Sequence, residues 1–192
     1  MPQGRWEEMM ADKVCGLDID GVLNYYPEPW LDFLNGWLDS DFTDLNHAKS
    51  IVPYQLYRDI KWEYRESGVK RELSPRAGAK ELTHELKERG YTILVLTSRP
   101  FDNHKGLFKQ TIDWLHGNDL QYDGIIFGSN KLQEVIHKAP NLSFLIEDHR
   151  FYANMVAQWG YEVFLMDNQY NQGTLLSRVT RIKNLQEVLK FV

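Results

Sequence analysis

The chain has 192 residues and a formal net charge of −5, which allows one well-buried core with an inserted subdomain but not two large domains. A negative chain without a Lys/Arg-rich run argues against a nucleic acid polymer as partner, and the single cysteine, Cys15, excludes an internal disulfide. The opening MPQGRWEEMMADK is not typical of a signal peptide, and no apolar stretch is long enough to span a bilayer. We therefore expect a cytoplasmic protein that does not bind membranes.

Short apolar runs alternate with amphipathic stretches along the chain, which predicts an α/β fold. The runs are continuous rather than alternating, as expected for parallel strands that are buried on both faces. We predict a three-layer, Rossmann-like parallel sheet of about five strands. The runs are 13–17, 92–96, 124–127, 143–146 and 162–166.

Caps and apolar spacing predict the helices between these strands. Ser74 and Pro75 are typical of an N-cap and a first helical turn, and Gly90 is typical of a helix end. We therefore predict a helix over 74–89. Further helices are predicted across roughly 104–116, near Lys131, near Phe151 and after Asn184.

One long interval lacks any strand signal. Between Asn24 and Leu73 the chain shows only helical segments, which are separated by prolines and a glycine. Because this interval follows the first strand directly, we predict a small helical cap over 24–73 above the edge of the sheet. Residues 1–23 and 74–192 then form the α/β core.

Polar side chains follow the predicted strands at the point where each strand ends. Asp18 and Asp20 follow the first strand, and residues two apart in extended backbone point to the same side. Thr97 and Ser98 follow the second strand, where hydroxyls and free amides either cradle a phosphate or cap the next helix.

The next two strands end in the same manner. Lys131 follows the third strand, at a predicted helix start where a cation is unfavourable unless an anion lies nearby. Glu147 and Asp148 follow the fourth strand, where acids also stabilise a helix start. Each feature has an ordinary explanation alone, but the carboxyl ends of parallel strands share one crevice. The four together predict an active site there.

Several carboxylates in one crevice repel each other. The cost is about 4 kcal/mol per pair at a separation of about 4 Å and an effective dielectric of about 20. Either some of them are protonated or a cation lies among them. Oxygen ligands without a Cys/His cluster favour Mg²⁺ over zinc.

In this order the motifs resemble those of the haloacid dehalogenase-like phosphatases. LDIDGVL is similar to the first motif of that family, LVLTSRP to the second, Lys131 to the third and FLIEDH to the fourth. The insertion after the first motif matches the position of the family's helical cap. The shape of the chain is most similar to the 5′(3′)-deoxyribonucleotidase-like branch.

The resemblance implies catalytic roles. Asp18 would attack phosphorus and form an aspartyl-phosphate intermediate. Asp20 would protonate the leaving oxygen and later take a proton from water. Thr97 and the backbone amides near Ser98 would hold the phosphoryl oxygens, and Lys131 would neutralise charge on the nucleophile and the transferring group.

The resemblance also implies a magnesium site. Asp18, the backbone carbonyl of Asp20 and Asp148 would bind Mg²⁺ directly. The fourth motif departs from the family's frequent aspartate pair, because its first acid is Glu147. We expect Glu147 to contact a water on the metal, although its extra methylene leaves open which of the two acids is the direct ligand.

The expected substrate is a small phosphorylated metabolite such as a nucleoside monophosphate. Ser98 and Arg99 are assigned to substrate binding with the phosphate cradle. The many aromatic residues of the predicted cap either stack on a nucleobase or form the core of the cap. Tyr25, Tyr26 and Trp30, which lie closest to the first motif, are the best candidates for stacking.

Alternative functions remain open at this stage. A receiver-type phosphoaspartate module fits poorly, because it lacks a long insertion after the first strand and orders its acids differently. A sugar-phosphate phosphatase or a phosphotransferase would share the first half-reaction. A non-catalytic binding protein would not need both Asp18 and Asp20. The sequence leaves the oligomeric state undetermined.

Overall fold

The computed structural model describes residues 13–128, 133 and 137–192. Within these residues, six parallel strands form one sheet in the order β3-β2-β1-β4-β5-β6. The predicted α/β class and parallel sheet are confirmed. The strands are β1 Val14–Leu17, β2 Thr92–Thr97, β3 Gly124–Phe127, β4 Leu142–Glu147, β5 Glu162–Met166 and β6 Val179–Ile182.

The expected number of about five strands is too low, because β6 lacks the signal that marks the others. Only its first and last residues, Val179 and Ile182, are buried, and Thr180 and Arg181 between them are partly exposed. As an edge strand, β6 pairs with β5 alone. Its sequence therefore does not form the continuous apolar run of a strand buried on both faces.

The helices described by the structure lie between the strands and in the insertion. They are α1 Glu28–Leu38, α2 Leu45–Ile51, α3 Tyr54–Glu66, α4 Ala79–Glu88, α5 Leu107–Gly117 and α6 Arg150–Gln158. Short 3₁₀ helices cover Val69–Arg71, Gln169–Asn171 and Leu185–Lys190.

Two of the predicted helices differ in their detail. The helix predicted over 74–89 begins only at Ala79, because Pro75 bridges to Asn24 and Gly78, with φ of +84°, turns the chain first. The segment after Asn184 is a 3₁₀ helix, which the Asn184 side chain caps at the Glu187 amide (3.2 Å). The helix start predicted near Lys131 lies outside the described residues.

The core lies on both faces of the sheet. Along β2, Ile93 and Val95 join one apolar cluster, whereas Leu94 and Leu96 join the other. The first cluster includes side chains of α4 and α5, and the second includes side chains of α6. Helices therefore cover both faces, which is the predicted three-layer arrangement.

The insertion after β1 has a core of its own. Seven buried side chains from α1, α2 and α3 pack together there, separately from the two clusters on the sheet. They are Trp30, Leu31, Leu34, Leu45, Ala48, Ile60 and Tyr64. We refer to α1–α3 together with the 3₁₀ helix Val69–Arg71 as the cap. In the described part of the chain, no helix is both long and apolar enough to cross a membrane.

Candidate active site

The site lies at the carboxyl ends of the central strands. The chain builds outward from β1 to β3 on one side and from β4 to β6 on the other, which places a crevice at the ends of β1 and β4. The amide of Asp18 donates to the carbonyl of Ile146 (3.0 Å), so Asp18 and Glu147 emerge side by side. A cavity of about 200 Å³ opens there. Eight of the residues expected from the sequence line it: Asp18, Asp20, Tyr26, Thr97, Ser98, Arg99, Glu147 and Asp148.

Three buried carboxylates form the floor of the cavity. Asp18, Glu147 and Asp148 each place one carboxylate oxygen within 4.8 Å of the other two. Such a group is unfavourable without a cation, since like charges in a partly dehydrated site repel strongly. Three anionic oxygens with no thiolate or imidazole suit a hard divalent ion such as Mg²⁺. The donor set therefore fits the metal that the sequence predicts.

A glycine makes this approach of acids sterically feasible. Gly21 has φ of +91°, a conformation that L side chains rarely adopt. A methyl group at Gly21 would overlap the carboxylate of Asp148. The amide of Gly21 also donates to the Asn24 side chain (3.2 Å), which closes the turn after β1. The turn therefore requires glycine both for its backbone and for the space beside Asp148.

Both acids at the end of β4 are held by hydrogen bonds. The hydroxyl of Tyr170 donates to the carboxylate of Asp148, and the Asn171 amide group donates to the Asp148 carbonyl (2.6 Å). Burial and the neighbouring Asp148 raise the pKa of Tyr170, so its hydroxyl stays a donor. Glu147 accepts from the amides of Asp148 and His149 through one oxygen (3.1 and 3.0 Å). Glu147 thereby stabilises the turn that presents Asp148.

Asp20 has a different environment from Asp18. Arg99 binds it through two nitrogens (2.6 and 3.1 Å), and Lys70 donates to it from the cap (2.9 Å). Burial tends to raise the pKa of Asp20, but the charges of Arg99 and Lys70 outweigh burial and hold the pKa well below its ordinary value. Asp20 is therefore ionised in this structure. Burial lowers the pKa of Lys70 to about 8, against the opposing effect of Asp20.

The structure assigns Arg99 a protein partner. Its side chain is buried, and besides Asp20 it contacts the Thr111 hydroxyl (3.1 Å). The Thr97 hydroxyl accepts from the Arg99 amide (3.3 Å), and Ser98 is exposed at the cavity wall. In this arrangement Thr97 and Ser98 face the cavity as expected, while the guanidinium of Arg99 is occupied by Asp20.

Two of the expected cap residues do not line the cavity. Trp30 is 0% exposed in the cap core, and its indole N–H donates to the Tyr57 hydroxyl (2.8 Å). Tyr25 accepts from the Ala77 amide (3.3 Å), and the Arg76 guanidinium lies over its ring. Neither ring is placed to stack on a ligand in this cavity. Tyr26, their neighbour, does line it. Lys131 lies outside the described residues, so its role stays a prediction.

Sequence reasoning missed the basic residues that the cap contributes. Lys61, Arg65 and Lys70 line the same cavity as the acids. None of them belongs to a strand-end motif, so no local pattern distinguishes them from solvated lysines and arginines. Lys61 and Arg65 are four residues apart on α3 and so share one face of the helix, but only the packed cap shows where that face points. His149 and Tyr152, at the start of α6, complete the wall.

Comparison with solved structures identifies the fold, whereas no family model matches the sequence. The haloacid dehalogenase-like hydrolase SP0104 of Streptococcus pneumoniae aligns with a TM-score of 0.65 and 15% identity, over 96% of this chain and 99% of its own. The D,D-heptose 1,7-bisphosphate phosphatase of B. bronchiseptica aligns with a TM-score of 0.59 and 13% identity, over 94% and 99%. The chain therefore has the haloacid dehalogenase-like fold, as the resemblance of its motifs implied.

One curated protein is also related to this chain in sequence. The Bacillus subtilis protein named "Putative nucleotidase YqfW" is 26% identical over 188 residues, which cover 92% of each chain. This relative, the fold and the buried acidic cluster are the findings from which a function can be proposed.

Proposed function

We propose that the protein is a magnesium-dependent phosphomonoester hydrolase with Asp18 as its nucleophile. The observation that carries the proposal is the buried cluster of Asp18, Glu147 and Asp148 at the crevice of a haloacid dehalogenase-like sheet. Asp18 follows β1 directly and lines the cavity, so its carboxylate is accessible to a phosphate that enters the cavity. Because the cluster is buried and hydrogen-bonded through Tyr170 and Asn171, it is preorganised for a cation.

The reaction divides into two displacements at phosphorus. The carboxylate of Asp18 attacks phosphorus, the bond to the ester oxygen breaks, and Asp18 becomes an aspartyl phosphate. The leaving oxygen takes a proton from Asp20 and departs as the alcohol. Water then attacks the aspartyl phosphate and gives its proton to Asp20, which releases inorganic phosphate and restores Asp18.

The ionised state of Asp20 suits the second displacement, in which water attacks the aspartyl phosphate. As an ionised carboxylate it accepts the proton of the attacking water, whereas the first displacement requires its protonated form. Pairing with Lys70 and Arg99 opposes that form. We therefore expect the negative phosphate to draw at least one of these cations away from Asp20 when substrate binds.

The remaining roles concern charge and orientation. Asp18, the Asp20 carbonyl, Asp148 and Glu147 are the proposed ligands of Mg²⁺. Asp148 is preferred over Glu147 because one Glu147 oxygen already accepts two backbone amides before α6, whereas Asp148 accepts the hydroxyl of Tyr170. When bound, Mg²⁺ supplies neutralisation of the negative phosphoryl oxygens. The Thr97 hydroxyl and the Ser98 amide hold these oxygens in our proposal, and Lys131 adds a positive charge.

The substrate is proposed to be a small phosphorylated metabolite, with nucleoside monophosphates among the first candidates. The nucleotidase relative supports this class, and Tyr26 in the cavity wall supplies an aromatic face. We propose that the segment 24–73 acts as the cap that selects the substrate, and that 1–23 and 74–192 form the catalytic core. A sugar phosphate is the second candidate, since the cavity of about 200 Å³ is small for a nucleotide.

Hydrolysis of p-nitrophenyl phosphate with Mg²⁺ tests the proposal. We expect Asp18→Asn to lower kcat by at least about a thousandfold, because the amide does not act as the attacking carboxylate. The matched control is Asp113→Asn, which removes an acid that pairs with Arg71 and Lys109 away from the cavity. Its kcat should stay within about twofold of the original. Equal rates in Asp18→Asn and in the unaltered protein would exclude Asp18 as the nucleophile.

A panel of nucleoside monophosphates and sugar phosphates then tests the substrate class. A kcat/KM for nucleoside monophosphates that exceeds that for sugar phosphates by about tenfold would support the nucleotidase assignment. The opposite preference would replace it with the second candidate.

A further inference from the structure

The cavity has basic residues on its cap side. Lys61 and Arg65 on α3 line the wall opposite the acidic floor, together with Lys70 from the following 3₁₀ helix. Lys70 and Arg99 both bind Asp20. The other three carboxylates of the cavity form the proposed metal cluster. All four acids of the cavity therefore have a partner or a proposed role that does not involve Lys61 or Arg65.

The ammonium of Lys61 is held among aromatic rings of the cap. Its ammonium lies 3.9 Å from the centroid of Trp30 and 5.2 Å from those of Tyr26 and Tyr64. Within the described part of the chain, we find no ion pair of Lys61 with a carboxylate. Burial lowers the pKa of Lys61 well below its ordinary value, and the nearby Lys70 adds to this effect. An anion that enters the cavity would therefore stabilise the charged form of this buried ammonium.

Arg65 lies one helical turn further along α3 and also lines the cavity. Its backbone carbonyl accepts from the Gln110 side chain of α5 (3.2 Å), but its guanidinium pairs with no carboxylate among the residues described. Burial lowers the pKa of Arg65 as well, while Asp20 opposes that effect. Two neighbouring cations on one helix face thus border the cavity, and neither forms an ion pair with an acid among the described residues.

Contacts with the core fix the end of α3 over the cavity. Glu66 binds the buried His104 (2.5 Å), and the Trp62 ring lies 4.1 Å from the His104 ring. Lys70 reaches Asp20 four residues further on. Because the helix is anchored at this end, Lys61 and Arg65 are placed to bind a ligand that also reaches Asp18.

We propose that Lys61 and Arg65 bind a second anionic group of the substrate, so that the preferred substrate is a compact phosphomonoester that also carries a phosphate or a carboxylate. This inference rests on the proposed phosphatase function and narrows its substrate class. The phosphoryl group that is transferred lies at Asp18, on the floor, and the second anion lies at the cap wall. A cavity of about 200 Å³ favours a small molecule with both groups over a bulky base.

Matched pairs of phosphate esters test the inference through selectivity. Glycerol 3-phosphate is compared with 3-phosphoglycerate, which adds a carboxylate, and fructose 6-phosphate with fructose 1,6-bisphosphate, which adds a phosphate. We expect kcat/KM to be at least about tenfold higher for the two-anion member of one pair, the size of a charge-assisted hydrogen bond. The pair that shows this preference identifies the second group as carboxylate or phosphate.

Variants assign the selectivity to the two cations. Lys61→Gln and Arg65→Gln should each lower the ratio of two-anion to one-anion kcat/KM by about tenfold, mainly through KM. Arg58→Gln is the control on the same helix, because Arg58 is exposed and does not line the cavity, and it should leave the ratio unchanged. Thermal unfolding of each variant checks that the cap remains folded.

Binding measured without turnover separates this inference from the proposed function. In an Asp18→Asn background, calorimetry should show tighter binding of the two-anion probes, and Lys61→Gln should remove the difference. This result would support the inference even if no ester were hydrolysed. Equal affinity within both pairs, or an equal loss for one-anion and two-anion probes in Lys61→Gln, would overturn it and leave the role of Asp18 untouched.

Discussion

Two aspartates that are two residues apart have opposite electrostatic surroundings in this protein. Asp18 lies in the acidic cluster with Glu147 and Asp148. The carboxylate of Asp20 instead accepts hydrogen bonds from Arg99 and Lys70, whose side chains are almost fully buried. In our proposal a bound cation stabilises the first aspartate, whereas Arg99 and Lys70 stabilise the second. This difference suits a nucleophile and a proton carrier, which need different charges during one reaction.

At this scale we predict that Asp20→Asn destabilises the fold by about 3 kcal/mol at neutral pH, because it leaves two buried cations without their partner. The pKa of Asp20 is lowered in the folded state, so its contribution is complete above the ordinary value of 3.8 and is lost as pH falls further. Denaturant unfolding at neutral pH and near pH 3 measures the difference between the two proteins.

We expect that difference to become smaller on acidification. Below pH 3.8 the unfolded original protein takes up a proton at Asp20 while the folded protein still holds the ionised form, so protonation stabilises the unfolded state. Asp113→Asn is the control for removal of an ion-paired acid at the surface, and it should change stability little at either pH. A difference that is the same at both pH values would show that charge is not the cause.

At the scale of an element, the turn after β1 determines whether the acidic cluster forms. The turn brings Asp20 back toward the cavity while Gly21 leaves room for the carboxylate of Asp148 from β4. The Arg76 guanidinium donates to the Gly21 carbonyl (3.1 Å), and the Arg76 amide donates to the Leu23 carbonyl (2.7 Å), so the segment before α4 supports the same turn. Three separate parts of the chain therefore meet at one glycine.

We predict that Gly21→Ala lowers phosphatase kcat/KM by at least about a hundredfold, since the added methyl group displaces Asp148 from its position beside Asp18. Gly160→Ala is a matched control: its φ of +95° gives similar backbone strain, but nothing lies within 4 Å of the added methyl group. Both variants should lose about 1 kcal/mol or more of stability from that strain. Only Gly21→Ala should lose activity, as measured with p-nitrophenyl phosphate.

For the whole molecule, the proposed Mg²⁺ adds positive charge where the acids are concentrated. The net charge is −5, and three of the acids are buried together at the crevice. The cap supplies Lys61, Arg65 and Lys70 to the same cavity, so cap and core carry opposite charges where they face each other. Attraction across the cavity, as in the ion pair of Lys70 with Asp20, therefore contributes to holding the cap against the core.

We predict that Mg²⁺ stabilises the folded protein by about 2.7 kcal/mol at a concentration about a hundred times its Kd, and that chelation removes both this stabilisation and activity. Thermal unfolding with and without Mg²⁺ measures the effect. Asp148→Asn should abolish most of the shift in Tm, whereas Asp167→Asn, an exposed acid at the end of β5, should retain it. An equal shift in both variants would exclude the acidic cluster as the binding site.

The sequence by itself determined the α/β class, five of the six strands and the strand-end residues that meet at the cavity. These features are local: strands buried on both faces need continuous apolar runs, and parallel strands bring their carboxyl ends to one edge. β6 is an edge strand and is partly exposed, so its sequence does not contain a continuous apolar run. The late start of α4 at Ala79 was not predictable, because Ser74 and Pro75 are typical helix-start residues. In the structure Pro75 instead forms a bridge with Asn24.

Only the tertiary structure decided how these side chains are paired. Arg99 is 79 residues from Asp20, and Lys70 is 50 residues from it, yet both bind its carboxylate. Trp30 was a candidate for stacking on a ligand but fills the cap core. Lys61, which no sequence pattern singled out, lies over that ring. Such pairings depend on distances between elements, which packing sets and which periodicity along the chain does not contain.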